Sequence, residues 1–127
     1  MDNEEKMQYL ANIYYLVRAD GKVERMEEKL YDYIAKGIEA GYFESLKAKE
    51  RAQKEGFTIK YPGRWSDRVR CVEDMLLAAY ADKRLHELEQ KILLQYANEI
   101  GIRKDQFKVI MDETKARLKE LQGKVIF

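Results

Sequence analysis

Displaced by 62 residues, the chain partly overlays itself. Ala19-Asp20 falls on Ala81-Asp82, Glu27 on Glu89, Lys29 on Lys91, Ala35 on Ala97 and Ile38 on Ile100. Apolar positions correspond too: Val23 with Leu85, Met26 with Leu88 and Leu30 with Ile92. The matches gather at two turns and on one face of the segments beside them, where a structural duplication would show. Each copy reads helix, short turn, helix. One helical hairpin cannot bury its apolar face alone, so the two are expected to pack together about an approximate two-fold axis.

The rest of the sequence agrees with helices. The chain of 127 residues has one proline, Pro62, and its seven glycines fall mainly between periodic segments. Five segments repeat apolar residues at helical spacing. They are Met7, Leu10, Ala11, Tyr14 and Val17; Met26, Leu30, Tyr33, Ile34, Gly37 and Ile38; Val69, Val72, Leu76, Ala79 and Tyr80; Leu88, Ile92, Tyr96 and Ile100; and Phe107, Ile110, Met111, Thr114, Leu118 and Leu121. Gly41 and Gly101 follow the second and fourth of these, where a glycine usually ends a helix in a left-handed turn. Residues 42–65 fit less well. They read as a short, mostly exposed helix followed by an irregular crossover, in which FTIKY at 57–61 alternates as an extended segment would and Pro62-Gly63 marks a turn.

The expected fold is an all-α single domain of five to seven helices, built from two helical hairpins related by a pseudo-two-fold. The repeat copies cover about 7–41 and 69–102, the crossover 42–68, and the C-terminal helix about 103–121. With 46% hydrophobic residues and a net charge of +1, the chain is neither a disordered polyampholyte nor a strongly basic nucleic-acid binder. A single cysteine excludes an internal disulfide framework. An acidic N-terminus without an apolar signal core, and no apolar run of membrane length, point to a cytoplasmic protein.

The two turns carry the chemistry that sequence offers. The first reads Ala19-Asp20-Gly21-Lys22-Val23 and then Glu27; the second reads Ala81-Asp82-Lys83-Arg84-Leu85 and then Glu89. This pair resembles the tellurite-resistance TerB-like family, whose hallmark is a pair of A-D-G-x-apolar-x-x-x-E turns, each between two helices. The second turn departs from it, with Lys83 in place of glycine. The resemblance spans roughly Met7 to Leu121. It implies a non-enzymatic module in a stress or metal-ion-related response, binding a divalent metal ion or a partner protein. The partner it implies belongs to a membrane-associated assembly, and it leaves a homodimer open.

On that reading Asp20, Glu27, Asp82 and Glu89 converge into an oxygen-rich cation site. The competing reading is capping. With Glu24 and His86 as N-caps, Glu27 and Glu89 stand at the third helical position, where a carboxylate closes a capping box, and Asp20 and Asp82 bond turn amides. An EF-hand is excluded, because Leu16 and Arg18 fall at ligand positions of such a loop.

Other candidates are weaker. Cys71 is expected to be a structural thiol, since His86 is its one histidine partner and no nucleophile signature joins them. The charge is uneven: residues 45–70 balance at +5 while residues 1–44 balance at −4. Lys47, Lys49, Arg51 and Lys54, with Phe57, Tyr61 and Trp65 nearby, form the alternative site, one for a polyanion such as nucleic acid or an anionic membrane surface. The near-neutral chain makes nucleic acid the less expected partner. The third reading is a purely structural interaction domain. Core-face tyrosines Tyr14, Tyr33, Tyr80 and Tyr96 need hydrogen-bond partners, for which the turn carboxylates are available.

Overall fold

A computed structural model describes residues 1–19, 21–81 and 85–123. It is all-helical, with no strand among the described residues. Six helices follow in order: α1 (Asn3–Val17), α2 (Arg25–Gly37), α3 (Tyr42–Ala52), α4 (Trp65–Ala79), α5 (Glu87–Glu99) and α6 (Lys104–Gln122). No helix among the described residues is long and apolar enough to cross a membrane.

The 62-residue offset extends beyond the hairpins. Helices beginning at 3, 25 and 42 recur at 65, 87 and 104, so α3 and α6 share the register of the pairs before them. The units then diverge. α3 stops at Ala52, whereas α6 runs on to Gln122. Residues 57–62 form the irregular crossover expected, and the alternation of FTIKY at 57–61 makes no strand.

α1 and α4 form the centre. Tyr9–Val17 is buried apart from Tyr15, and Cys71–Ala79 is buried apart from Glu73. A helix apolar on nearly all sides must be enclosed on nearly all sides. α1 packs against α3 and α4, with α2 and α5 at its flanks; α4 packs against α6, α5 and α2. The outer helices bury one stripe each. On α5 that stripe is Glu89, Leu93, Tyr96, Ala97 and Ile100, while Leu88 is half exposed. The expected run Leu88, Ile92, Tyr96 and Ile100 advances by four residues at each step. With 3.6 residues per turn it drifts around the helix, so its first member leaves the buried face.

One turn differs from expectation. The left-handed residue after α2 is Glu39 (φ 59°), and the one after α5 is Gly101 (φ 85°), the same position 62 residues on. Both turns close with the same bonds: Ala40 N–H to Ala35 O and Ile102 N–H to Ala97 O, each 2.9 Å. Gly41 instead has φ −79° and is the N-cap of α3.

Candidate functional site

The turn acids are capping groups where the structure describes them. Glu24 and His86 are the N-caps of α2 and α5. The Glu24 N–H donates to Glu27 Oε1 at 2.8 Å, and the His86 N–H donates to Glu89 Oε1 at 3.2 Å. α1 and α6 use the same device, with Glu5 Oε1 accepting from Asp2 N–H and Gln106 Oε1 accepting from Arg103 N–H. Glu27 and Glu89 differ from these in being buried, Glu89 completely. A carboxylate in that position satisfies an orphan amide and favours the positive helix end. Asp20 and Asp82 lie outside the described residues. Among the described residues no three of His, Cys, Asp and Glu gather in a group that could hold a metal ion.

The basic segment is largely tied to acids of its own chain. Arg51 grips both carboxylate oxygens of Glu4 at 2.7 and 3.0 Å. Lys49 reaches Glu28 at 3.0 Å and lies over the Tyr14 and Tyr31 rings. Lys47 pairs with Glu50 at 3.5 Å and lies over Phe43. Lys54 is exposed. Three of the four cations offered to a polyanion therefore already face a carboxylate.

Cys71 is fully buried, with Met75 Sδ 3.8 Å from its sulfur, and burial pushes the thiol up to about 12. At neutral pH it is a protonated core group. Two fully buried tyrosines find partners other than the turn acids: Tyr9 donates to Asp74 at 2.5 Å and Tyr31 to the Ser45 carbonyl at 2.7 Å.

Two grooves are lined by residues that lie 62 positions apart in the sequence. At the junction of α1 and α5, the crossover lies across the helices. Phe57 packs on Tyr15 with ring centres 5.1 Å apart, and Tyr61 stands edge-on to Tyr96 at 5.0 Å. Between them the buried Asn12 amide holds the backbone of Lys60 at both ends. Its Nδ2 donates to Lys60 O at 2.9 Å, and its Oδ1 accepts from Lys60 N at 3.3 Å. Gln8 steadies Asn12 through a 2.9 Å bond one turn away.

At the junction of α4 and α2, no crossover lies over the helices among the described residues. An open groove of about 350 Å³ remains, lined by Tyr33, Ile34, Lys36, Gly37, Arg70, Asp74 and Arg117. Arg70 and Asp74 stand 62 residues beyond Gln8 and Asn12, and Tyr33, Ile34 and Gly37 stand 62 before Gln95, Tyr96 and Glu99. The neutral pair of one unit is thus a charged pair in the other. Asp74 is 3% exposed. Burial raises its carboxyl above the ordinary range; the Tyr9 bond and the guanidiniums of Arg117 and Arg70 pull it back only in part. Those guanidiniums stand 3.5 and 3.8 Å from its oxygens. Arg70 also donates to Gly37 O, and Arg117 lies over the Tyr33 ring. Glu73 is half-buried, and burial with the neighbouring charges of Asp74 and Glu113 raises its carboxyl too.

Sequence reading by apolar periodicity passed over this groove, since Arg70, Asp74 and Arg117 belong to no motif. A signal lies in the sequence nonetheless: Asn12 and Asp74, 62 positions apart, are polar residues within the mostly apolar runs 9–17 and 71–79.

Comparison of the chain with protein-family models, with curated proteins and with solved structures finds no match.

Proposed function

We propose that the chain is a TerB-like, non-enzymatic partner-binding module made by duplication of a three-helix unit, its two halves related by an approximate two-fold axis. The helix register and the packing support the duplication. Exchanging α1 with α4, α2 with α5 and α3 with α6 turns each principal packing pair into another: α1–α3 into α4–α6, α2–α4 into α5–α1, and α1–α2 into α4–α5.

The observation that carries the binding role is the inequality of the two junctions. The α1–α5 junction is crossed by the chain's own segment 57–61, which leaves a groove of about 310 Å³ beside it; the equivalent α4–α2 junction has no such crossing among the described residues, and its concave, largely apolar groove of about 350 Å³ holds Arg70 and Arg117. Concave sites with a few convergent polar groups are where ligands bind. Glu27 and Glu89 are buried and bond their own helix starts, which leaves the groove as the surface through which the module engages its partner.

Nuclear magnetic resonance with a library of short peptides tests this. Shifts of backbone amides at Tyr33, Ile34 and Gly37 are expected. Shifts confined to residues 21–27 and 85–89, and arising only with added divalent cation, would return the function to the turns.

A further inference from the structure

The open groove and the strapped one differ in chemistry as well as in occupancy, and that difference specifies a ligand. In the strapped unit the occupant is a non-helical stretch, FTIKY at 57–61. It is held by an amide that reads backbone and by aromatic contacts on either side. In the open unit the backbone-reading amide is replaced by Asp74, already engaged by Tyr9 at 2.5 Å. The donors there are guanidiniums, which keep N–H groups beyond those spent on Asp74, Gly37 O and the Tyr33 hydroxyl. Arg70 and Arg117 share one carboxylate at 3.8 and 3.5 Å, longer than a good charge-assisted bond of about 2.7–2.9 Å. Their side chains are 46% and 42% exposed, so they reach the groove surface. Lys36 lines the same wall, giving three cations against one lining carboxylate. Tyr33 and Ile34 supply the apolar floor.

We propose that the α2–α4 groove binds an extended acidic peptide of a partner protein, laid as residues 57–61 lie on the α1–α5 junction, with a glutamate or aspartate side chain received by Arg70 and Arg117. Guanidinium groups suit this task, because their planar donors meet a carboxylate two bonds at a time. The peptide's neighbouring apolar side chain rests on Ile34, the position that corresponds to Tyr96 beneath Tyr61. The inference depends on the partner-binding reading above and adds the chemistry of the partner.

The test uses three fluorescein-labelled pentapeptides built on the crossover: FTIEY, FTIQY and the natural FTIKY. Anisotropy titration of the whole protein should rank them FTIEY, FTIQY, FTIKY. The acidic peptide should bind about tenfold tighter than the neutral one, the scale of a hydrogen bond to a charged group. Its affinity should fall with added sodium chloride while that of FTIQY stays nearly level. In an Arg70→Gln/Arg117→Gln variant the acidic preference should vanish. If that variant does not fold, the salt dependence on the wild-type protein decides. Equal binding of FTIEY and FTIQY, without a difference in salt response, overturns the acidic preference and leaves the groove as a peptide site. A preference that survives in the folded double variant moves the acid-binding groups elsewhere and overturns the assignment. No saturable binding of any of the three overturns both this inference and the groove as the binding surface.

Discussion

Glu39 occupies a left-handed conformation that costs a residue with a side chain about 1–2 kcal/mol. The corresponding residue of the second unit is a glycine. Glu39→Gly should therefore stabilise the protein, by about 1 kcal/mol once the greater freedom of glycine in the unfolded chain is subtracted. Gly101→Ala should destabilise it by a similar amount. Nothing lies within 4 Å of a Cβ placed at Gly101, so the cost there is conformational and not steric. Urea midpoints of the two variants, moving in opposite directions, would check this; an unchanged or lowered midpoint for Glu39→Gly would contradict it. Asp74 gives a second prediction at the same scale. Its folded carboxyl titrates above the ordinary value of 3.8, chiefly through burial. A proton held more tightly in the folded state stabilises below the unfolded value, and that contribution is lost as pH rises through the raised folded value. The urea midpoint of the wild-type protein relative to Asp74→Asn should thus fall as pH rises above the ordinary carboxyl value of 3.8. A difference that stays flat or rises would mean that Arg70 and Arg117 outweigh burial.

The helices were legible where periodicity and capping speak together. Glu24, Glu27, His86 and Glu89 could be placed at helix starts from spacing alone, because a capping box is a local device with a fixed three-residue reach. The shared start of α3 and α6 was hidden, since exposed Tyr42 and Phe43 give α3 no clean apolar stripe to compare with α6. The groove was hidden for a different reason: Arg117 meets Asp74 across 43 positions of chain, and no local pattern encodes such a meeting. At this scale the capping role is itself testable. Glu27→Gln and Glu89→Gln keep an acceptor and remove a charge, so each should cost about 0.3–1 kcal/mol. Calcium, magnesium or zinc at millimolar concentration should leave the melts of wild type and variants unmoved relative to one another. A bound cation would instead raise the wild-type melt by RT ln(1 + [L]/Kd), about 2.7 kcal/mol at a hundredfold excess over Kd, and the variants would lose most of that gain.

For the molecule as a whole, neither unit is self-sufficient. α2 leans on α4 and α5 on α1, so the second helix of each hairpin completes its burial against the central helix of the other. Unfolding should therefore be a single transition, with circular dichroism and tyrosine fluorescence superimposing across a urea titration. Separate transitions for residues 1–62 and 63–127 would contradict the interlocked packing. The same α1–α4 pairing has a kinetic consequence. Each hairpin is local and can form within microseconds to milliseconds on its own contacts. The contacts that make either hairpin durable, however, join residues about half a chain apart, and closing a loop of that length carries its entropy before any reward. The rate-limiting event in folding is thus expected to be the meeting of the two central helices. Substitutions at buried Leu10, Ile13, Val72 or Met75 should slow folding itself, while changes on the outer faces of α3 and α6 should act mainly by hastening unfolding.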